Sequence, residues 1–105
     1  MPLDGTAFDT LVDDRIRQAI MYIEEHGWCR WEFTDEDGRV CLIGSFVRTG
    51  GTEDIWTQAA LRKVARVAGC HSRNLWKYND GLELITGKYA VLDTMRQAIE
   101  KVSIP

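Results

Sequence analysis

Apolar residues along the chain follow two periods. Phe8, Leu11, Val12, Ile16, Ala19, Ile20 and Ile23 recur at helical spacing, with Asp13, Asp14, Arg17, Gln18 and Glu24 filling the other face. The pattern predicts a helix from about Ala7 to His26, opened by a capping-box-like Thr6 and Asp9 and closed by Gly27. The period then changes. Trp31 and Phe33 alternate with Arg30, Glu32 and Thr34, and Val40 and Leu42 resume the alternation after Asp35-Glu36-Asp37-Gly38. That reads as a β-hairpin with Trp31, Phe33, Val40 and Leu42 on one face and Gly38 in the turn.

Leu42 to Val47 fits either a continued strand or a short helix. Arg48 to Gly51 is a loop. Thr52 is placed to cap a helix, with Glu53 and Asp54 in its first turn. Trp56, Ala60, Val64 and Val67 form its inner face, and Gly69 ends it. Ser72 to Tyr78 fits a further short helix, and Asn79-Asp80-Gly81 a turn in which Asx side chains bond nearby backbone. Leu82 to Ile85 is short and apolar. Thr86-Gly87 leads into a last helix whose stripe is Leu92, Met95, Ile99 and Val102. A lone hairpin is marginal in water, so its apolar face needs helices to cover it. The expected fold class is therefore α+β: residues 1–6 as a lead-in, then one mostly helical domain over 7–105. The hairpin packs on the first and last helices and forms the centre of the core.

Composition narrows the classes. The chain has 105 residues, enough for one core, with 45% apolar and 28% charged residues. A net charge of −3 argues against general binding to nucleic acid or to acidic membranes. No apolar run approaches a membrane span and the first residues lack a signal-peptide core, so a cytoplasmic protein is expected. Three cysteines without framework spacing fit free thiols. In the hairpin Cys29 and Cys41 point to opposite faces, which argues against a disulfide.

Four short elements in a fixed order resemble a family of small uncharacterised proteins of actinobacteria and their phages. They are Gly27-Trp28-Cys29 after an amphipathic helix, Asp37-Gly38 followed by Cys41-Leu42-Ile43-Gly44, Tyr78-Asn79-Asp80, and a closing helix over Val91 to Glu100. The resemblance runs from about Ile16 onward. It departs at Tyr78, where the family usually has Trp. It implies no activity, but it does imply a phage or prophage accessory protein.

Leu61 to Asp80 matches the spacing of a helix-turn-helix, with Ala65 and Gly69 at the small positions and Val64, Ala68, Cys70 and Leu75 at the apolar ones. Its second helix would present His71, Ser72, Arg73, Asn74 and Lys77, residue types that contact bases and phosphates. Ile55 to Asn79 holds five Lys or Arg and no acid. Any helix pair joined by a Gly turn needs similar small and apolar residues, however. One shared exposed face for Arg62, Lys63, Arg66, Arg73 and Lys77 would favour DNA; scattered charges would favour a protein partner.

An enzyme could use Cys41, His71 and Asn79 or Asp80 as a thiol, imidazole and orienting group, but nothing in the spacing brings them together. Cys29, Cys41, Cys70 and His71 lack the paired C-x-x-C pattern of a zinc site, so no metal or cofactor is expected. His26 suits a helix C-terminus, and Asp35 to Asp37 a solvated turn. Of the four tryptophans, any that are exposed would mark a protein-binding hot spot. The readings therefore rank in this order: a non-enzymatic binding module for a host or cellular protein, a helix-turn-helix DNA-binding regulator through residues 61–80, and a thiol enzyme.

Overall fold

The computed structural model describes residues 5–101, with side chains from 7 to 99. The lead-in Met1 to Asp4, the Thr6 side chain, Val102 at the end of the last stripe and the terminal Pro105 lie outside those descriptions; Thr6 itself falls inside the first helix, which begins at Gly5, and so is not its cap. The elements are α1 (Gly5–His26), α2 (Leu42–Arg48), α3 (Ile55–Ala68), a 3₁₀ turn (Ser72–Asn74), α4 (Leu75–Asp80) and α5 (Gly87–Lys101).

The helical periods place the core. On α1, Val12, Ile16, Ala19, Ile20 and Ile23 are buried and Phe8 packs beside them, whereas Leu11 at the edge of the stripe is exposed. This face meets α2, α3 and α5, and α3 also packs on α5. Phe46 of α2 sits fully inside, with Val64 of α3 and Val91 and Met95 of α5. Ile99 is half-buried against this core. Arg15 is buried too, although it carries charge. It donates to Thr57 Oγ1 and to the carbonyls of Phe46, Thr49 and Gly51, so one guanidinium ties α1 to α2 and to the loop entering α3.

The cap of α3 is Asp54, whose carboxylate accepts from the Thr57 N–H; the sequence had suggested Thr52. Trp56, in the first turn of the helix, is half-exposed rather than on the inner face with Ala60 and Val64. Gly69 closes α3 with φ of 80°, the left-handed conformation of a helix end. Leu42 to Arg48 is helical, and its cap is the Cys41 sulfur, which accepts from the Gly44 N–H at 3.2 Å.

The expected α+β class is overturned. Among the described residues there is no strand, sheet or hairpin, only isolated bridges from Val40 to Trp28 (parallel) and to Thr34 (antiparallel). The domain is helical, with residues 27–41 as one irregular loop. Trp31 breaks the extended run: its φ is 73°, a region that large side chains rarely enter. Trp31 and Phe33 are exposed, while Val40 and Leu42 are buried. The hairpin face therefore does not exist as a unit and is not the centre of the core. The physical reason is competition for the backbone. Cys29 C=O, Trp31 N–H and Leu42 N–H bond to side chains of Asn79 and Asp80 instead of to a facing strand. Tertiary partners override an alternation that by itself reads as β.

Candidate functional site

Asn79 is the residue that shapes the loop. It sits at the C-terminal end of α4 and is wholly buried. Its Oδ1 accepts from the Trp28 indole N–H at 2.6 Å and from the Leu42 N–H at 3.0 Å. Its Nδ2 donates to the Cys29 carbonyl at 3.2 Å and to Asp80 Oδ1 at 3.1 Å. A buried amide with its groups paired in this way fixes two distant segments at once. Trp28 is buried in consequence, and its ring lies against Gly87, where any Cβ would collide with the indole. Gly44 plays the same part under the loop, since a Cβ there would run into the Phe33 carbonyl. The elements that carry the family resemblance, Gly27-Trp28, Cys41 to Gly44 and Tyr78-Asn79-Asp80, thus meet at one place.

Asp80 extends the arrangement outward. Its Oδ1 accepts the Trp31 N–H at 2.8 Å and so holds Trp31 in its left-handed conformation. The Trp31 side chain is 73% exposed, Phe33 58% and Trp76 50%. Trp31, Phe33 and Trp76 line one cleft of about 310 Å³ with Glu32 and Asp80, over a floor that includes Cys41. Arg30 stacks on the Trp31 ring, its guanidinium carbon 4.4 Å from the ring centre, and lines a neighbouring cleft that also contains Leu84. Backbone strain of this kind is stable only where its surroundings enforce it, and it gathers at functional surfaces.

The thiols are poorly suited to nucleophilic work. Burial, reinforced by the Asp35 carboxylate, pushes Cys29 up to about 11. Burial also raises Cys41, against the opposing Gly44 N–H, and raises Cys70. All three cysteines are free. Cys41 and His71 line different clefts, and among the described residues no group of three or more His, Cys, Asp or Glu is placed to hold a metal.

The helix-turn-helix segment has no long second helix. Ser72, Arg73 and Asn74 form the 3₁₀ turn, capped by His71 through its ring nitrogen, and α4 is only six residues long. Arg62 and Arg66 border a shallow cleft with His71. Lys63 is buried and paired with Asp13 of α1 at 2.7 Å. Lys77 lies beside Trp76, its ammonium 5.4 Å from the ring centre. The five cations do not make one exposed face. Gly38 sits at φ of 83° in its turn, with its N–H donating to the Asp35 carbonyl.

Sequence reasoning treated the tryptophans as equivalents and Asn79-Asp80 as a local turn. It missed the pairing of Trp28 with Asn79 and of Trp31 with Asp80. One usable signal was Gly44: a glycine inside a short helical segment is unfavourable unless something approaches closely.

Among the described residues no helix is long and apolar enough to cross a membrane. A family model described as "Family of unknown function (DUF6197)" matches residues 7–101. No curated protein and no solved structure matches the chain.

Proposed function

The chain belongs to the DUF6197 family of unknown function, and on that premise we propose that it is a small non-enzymatic binding module that engages a protein partner through the Trp31–Phe33–Trp76 cleft. The observation that carries this reading is Trp31. A large aromatic side chain is held outward, on a backbone conformation it disfavours, by a carboxylate 49 residues away. Clustered exposed aromatics that line a cleft are the usual anchors of protein interfaces. Thiols kept protonated near neutral pH support a binding role over a thiol enzyme. On the same reading the protein is a phage or prophage accessory protein acting in the cytoplasm on a host protein. The motif resemblance supports that part.

A DNA-binding role through residues 61–80 is less well supported. Lys63 is neutralised by Asp13, and the recognition segment is a 3₁₀ turn followed by a six-residue helix. The test is capture from an actinobacterial lysate, with and without nuclease, by the wild type, Trp31→Gly and Trp76→Ala. The expected result is a nuclease-resistant partner whose recovery falls about tenfold or more in both variants at unchanged folding stability. A partner kept equally by both variants, or lost with nuclease, overturns the reading.

A further inference from the structure

The cleft combines three aromatic rings with two carboxylates, and we infer that it is a cation site that takes an arginine side chain of the partner. The inference rests on the reading of this cleft as the partner-binding surface and adds what the surface recognises. Trp31, Phe33 and Trp76 offer π faces, whose quadrupoles attract cations. Glu32 and Asp80 line the same cleft. Asp80 Oδ1 accepts from both the Trp31 N–H and the Asn79 amide, which leaves Oδ2 to meet a donor from outside. Glu32 is exposed and has no ion pair among the described residues.

The two rival cations lie close by but do not line the cleft. Arg30 covers Trp31 and borders the neighbouring cleft, and Lys77 lies over Trp76. Arg30 also displays the favoured geometry on this chain's own ring. A planar guanidinium stacks on an indole and is more weakly hydrated than an ammonium, so it gives up water more readily. A volume of about 310 Å³ accommodates one such side chain with its neighbouring backbone. The occupant thus complements the cleft in charge as well as in shape.

The test uses the ¹⁵N-labelled full chain and three tripeptide probes: acetyl-Gly-Arg-Gly-amide, its lysine counterpart, and its citrulline counterpart, which keeps the shape but not the charge. The indole N–H resonances of Trp31 and Trp76 report binding. Trp28, sealed against Asn79, is the internal control. The expected result is a saturable shift of Trp31 and Trp76 with the arginine probe, a still Trp28, and binding of citrulline weaker by about tenfold or more. Asp80→Asn keeps an acceptor for the Trp31 N–H and removes the charge; Glu32→Gln removes charge from an exposed side chain that makes no ion pair among the described residues. Each should weaken the arginine probe by roughly threefold to tenfold and leave the citrulline probe unchanged.

Equal binding of arginine and citrulline, insensitivity to both variants, or no shift at Trp31 and Trp76 overturns the cation site. A lysine probe that binds as tightly as arginine overturns the assignment to arginine. The two readings fail separately. If partner capture depends on Trp31 but the probes show no charge preference, the binding surface stands and its cation chemistry falls. If the arginine probe binds but no nuclease-resistant partner depends on Trp31, the reverse holds.

Discussion

Asn79 and Arg15 show how single buried polar side chains can hold segments that have no secondary structure of their own. Replacing Asn79 with Ala leaves the Trp28 indole N–H and the Leu42 N–H without their acceptor. Each buried group left unpaired costs about 1–3 kcal/mol, so Asn79→Ala should lose roughly 2–5 kcal/mol in urea unfolding. Phe33→Ala should lose less than about 1 kcal/mol, because an exposed ring has little core burial to give up. That reverses the expectation from alternation, which gave Phe33 the burial of a core strand. Cys29 supplies a pH test. Its folded-state thiol is raised from 9.0 to about 11, so the unfolded chain loses that proton first as pH rises. The resulting stabilisation is complete below about pH 9 and declines towards about pH 11. Unfolding measured across that window should show a steeper alkaline loss in the wild type than in Cys29→Ala. At this scale the sequence could not say which tryptophan is buried. Trp28 and Trp31 are chemically alike, and their fates depend on Asn79 and Asp80, which are 51 and 49 residues away.

The long elements were legible because burial on a helix repeats with the helical period. The stripes of α1 and α5 read directly from the spacing of Val12, Ile16, Ile23, Leu92 and Met95. Between them α3 was legible too, with Ala60 and Val64 inside and Gly69 at its end, but α2 and the loop before it were not. The α2 helix is capped by a cysteine sulfur, which no capping preference signals, and the loop 27–41 has a strand's alternation without a strand's partners. Two glycines record what the alternation concealed. Gly44→Ala would drive a Cβ into the Phe33 carbonyl, and Gly87→Ala into the Trp28 ring. The Gly44 neighbour is backbone and cannot swing aside. Gly44→Ala should therefore cost about 2 kcal/mol or more and displace the loop, read as a lower urea midpoint and a shifted Trp31 indole resonance. An unchanged midpoint would mean that the loop does not lie on α2.

Over the whole molecule, the framework and the candidate surface draw on different residues. The apolar core of α1, α2, α3 and α5 supplies the burial, and Trp31, Phe33 and Trp76 contribute little of it. The net charge of −3 and the pairing of Lys63 with Asp13 leave few cations for a phosphate backbone. A mobility shift of duplex DNA at about 0.1 M salt should therefore show no complex, and one abolished by Arg73→Ala would reverse the order of the two functions. The candidate site was legible only in part: exposed tryptophans were expected to mark a partner surface, but which ones, and what holds them, required the tertiary contacts. The central claim is that Trp31 is held out of the core for binding rather than for folding. Its most direct test is equilibrium urea unfolding of Trp31→Gly. Glycine accepts a φ of 73° freely, so relieved strain offsets the entropy glycine adds to the unfolded chain. The account predicts an unfolding free energy within about 1 kcal/mol of the wild type, or above it. A loss of more than about 2 kcal/mol would contradict it, because Trp31 would then be part of what keeps the protein folded.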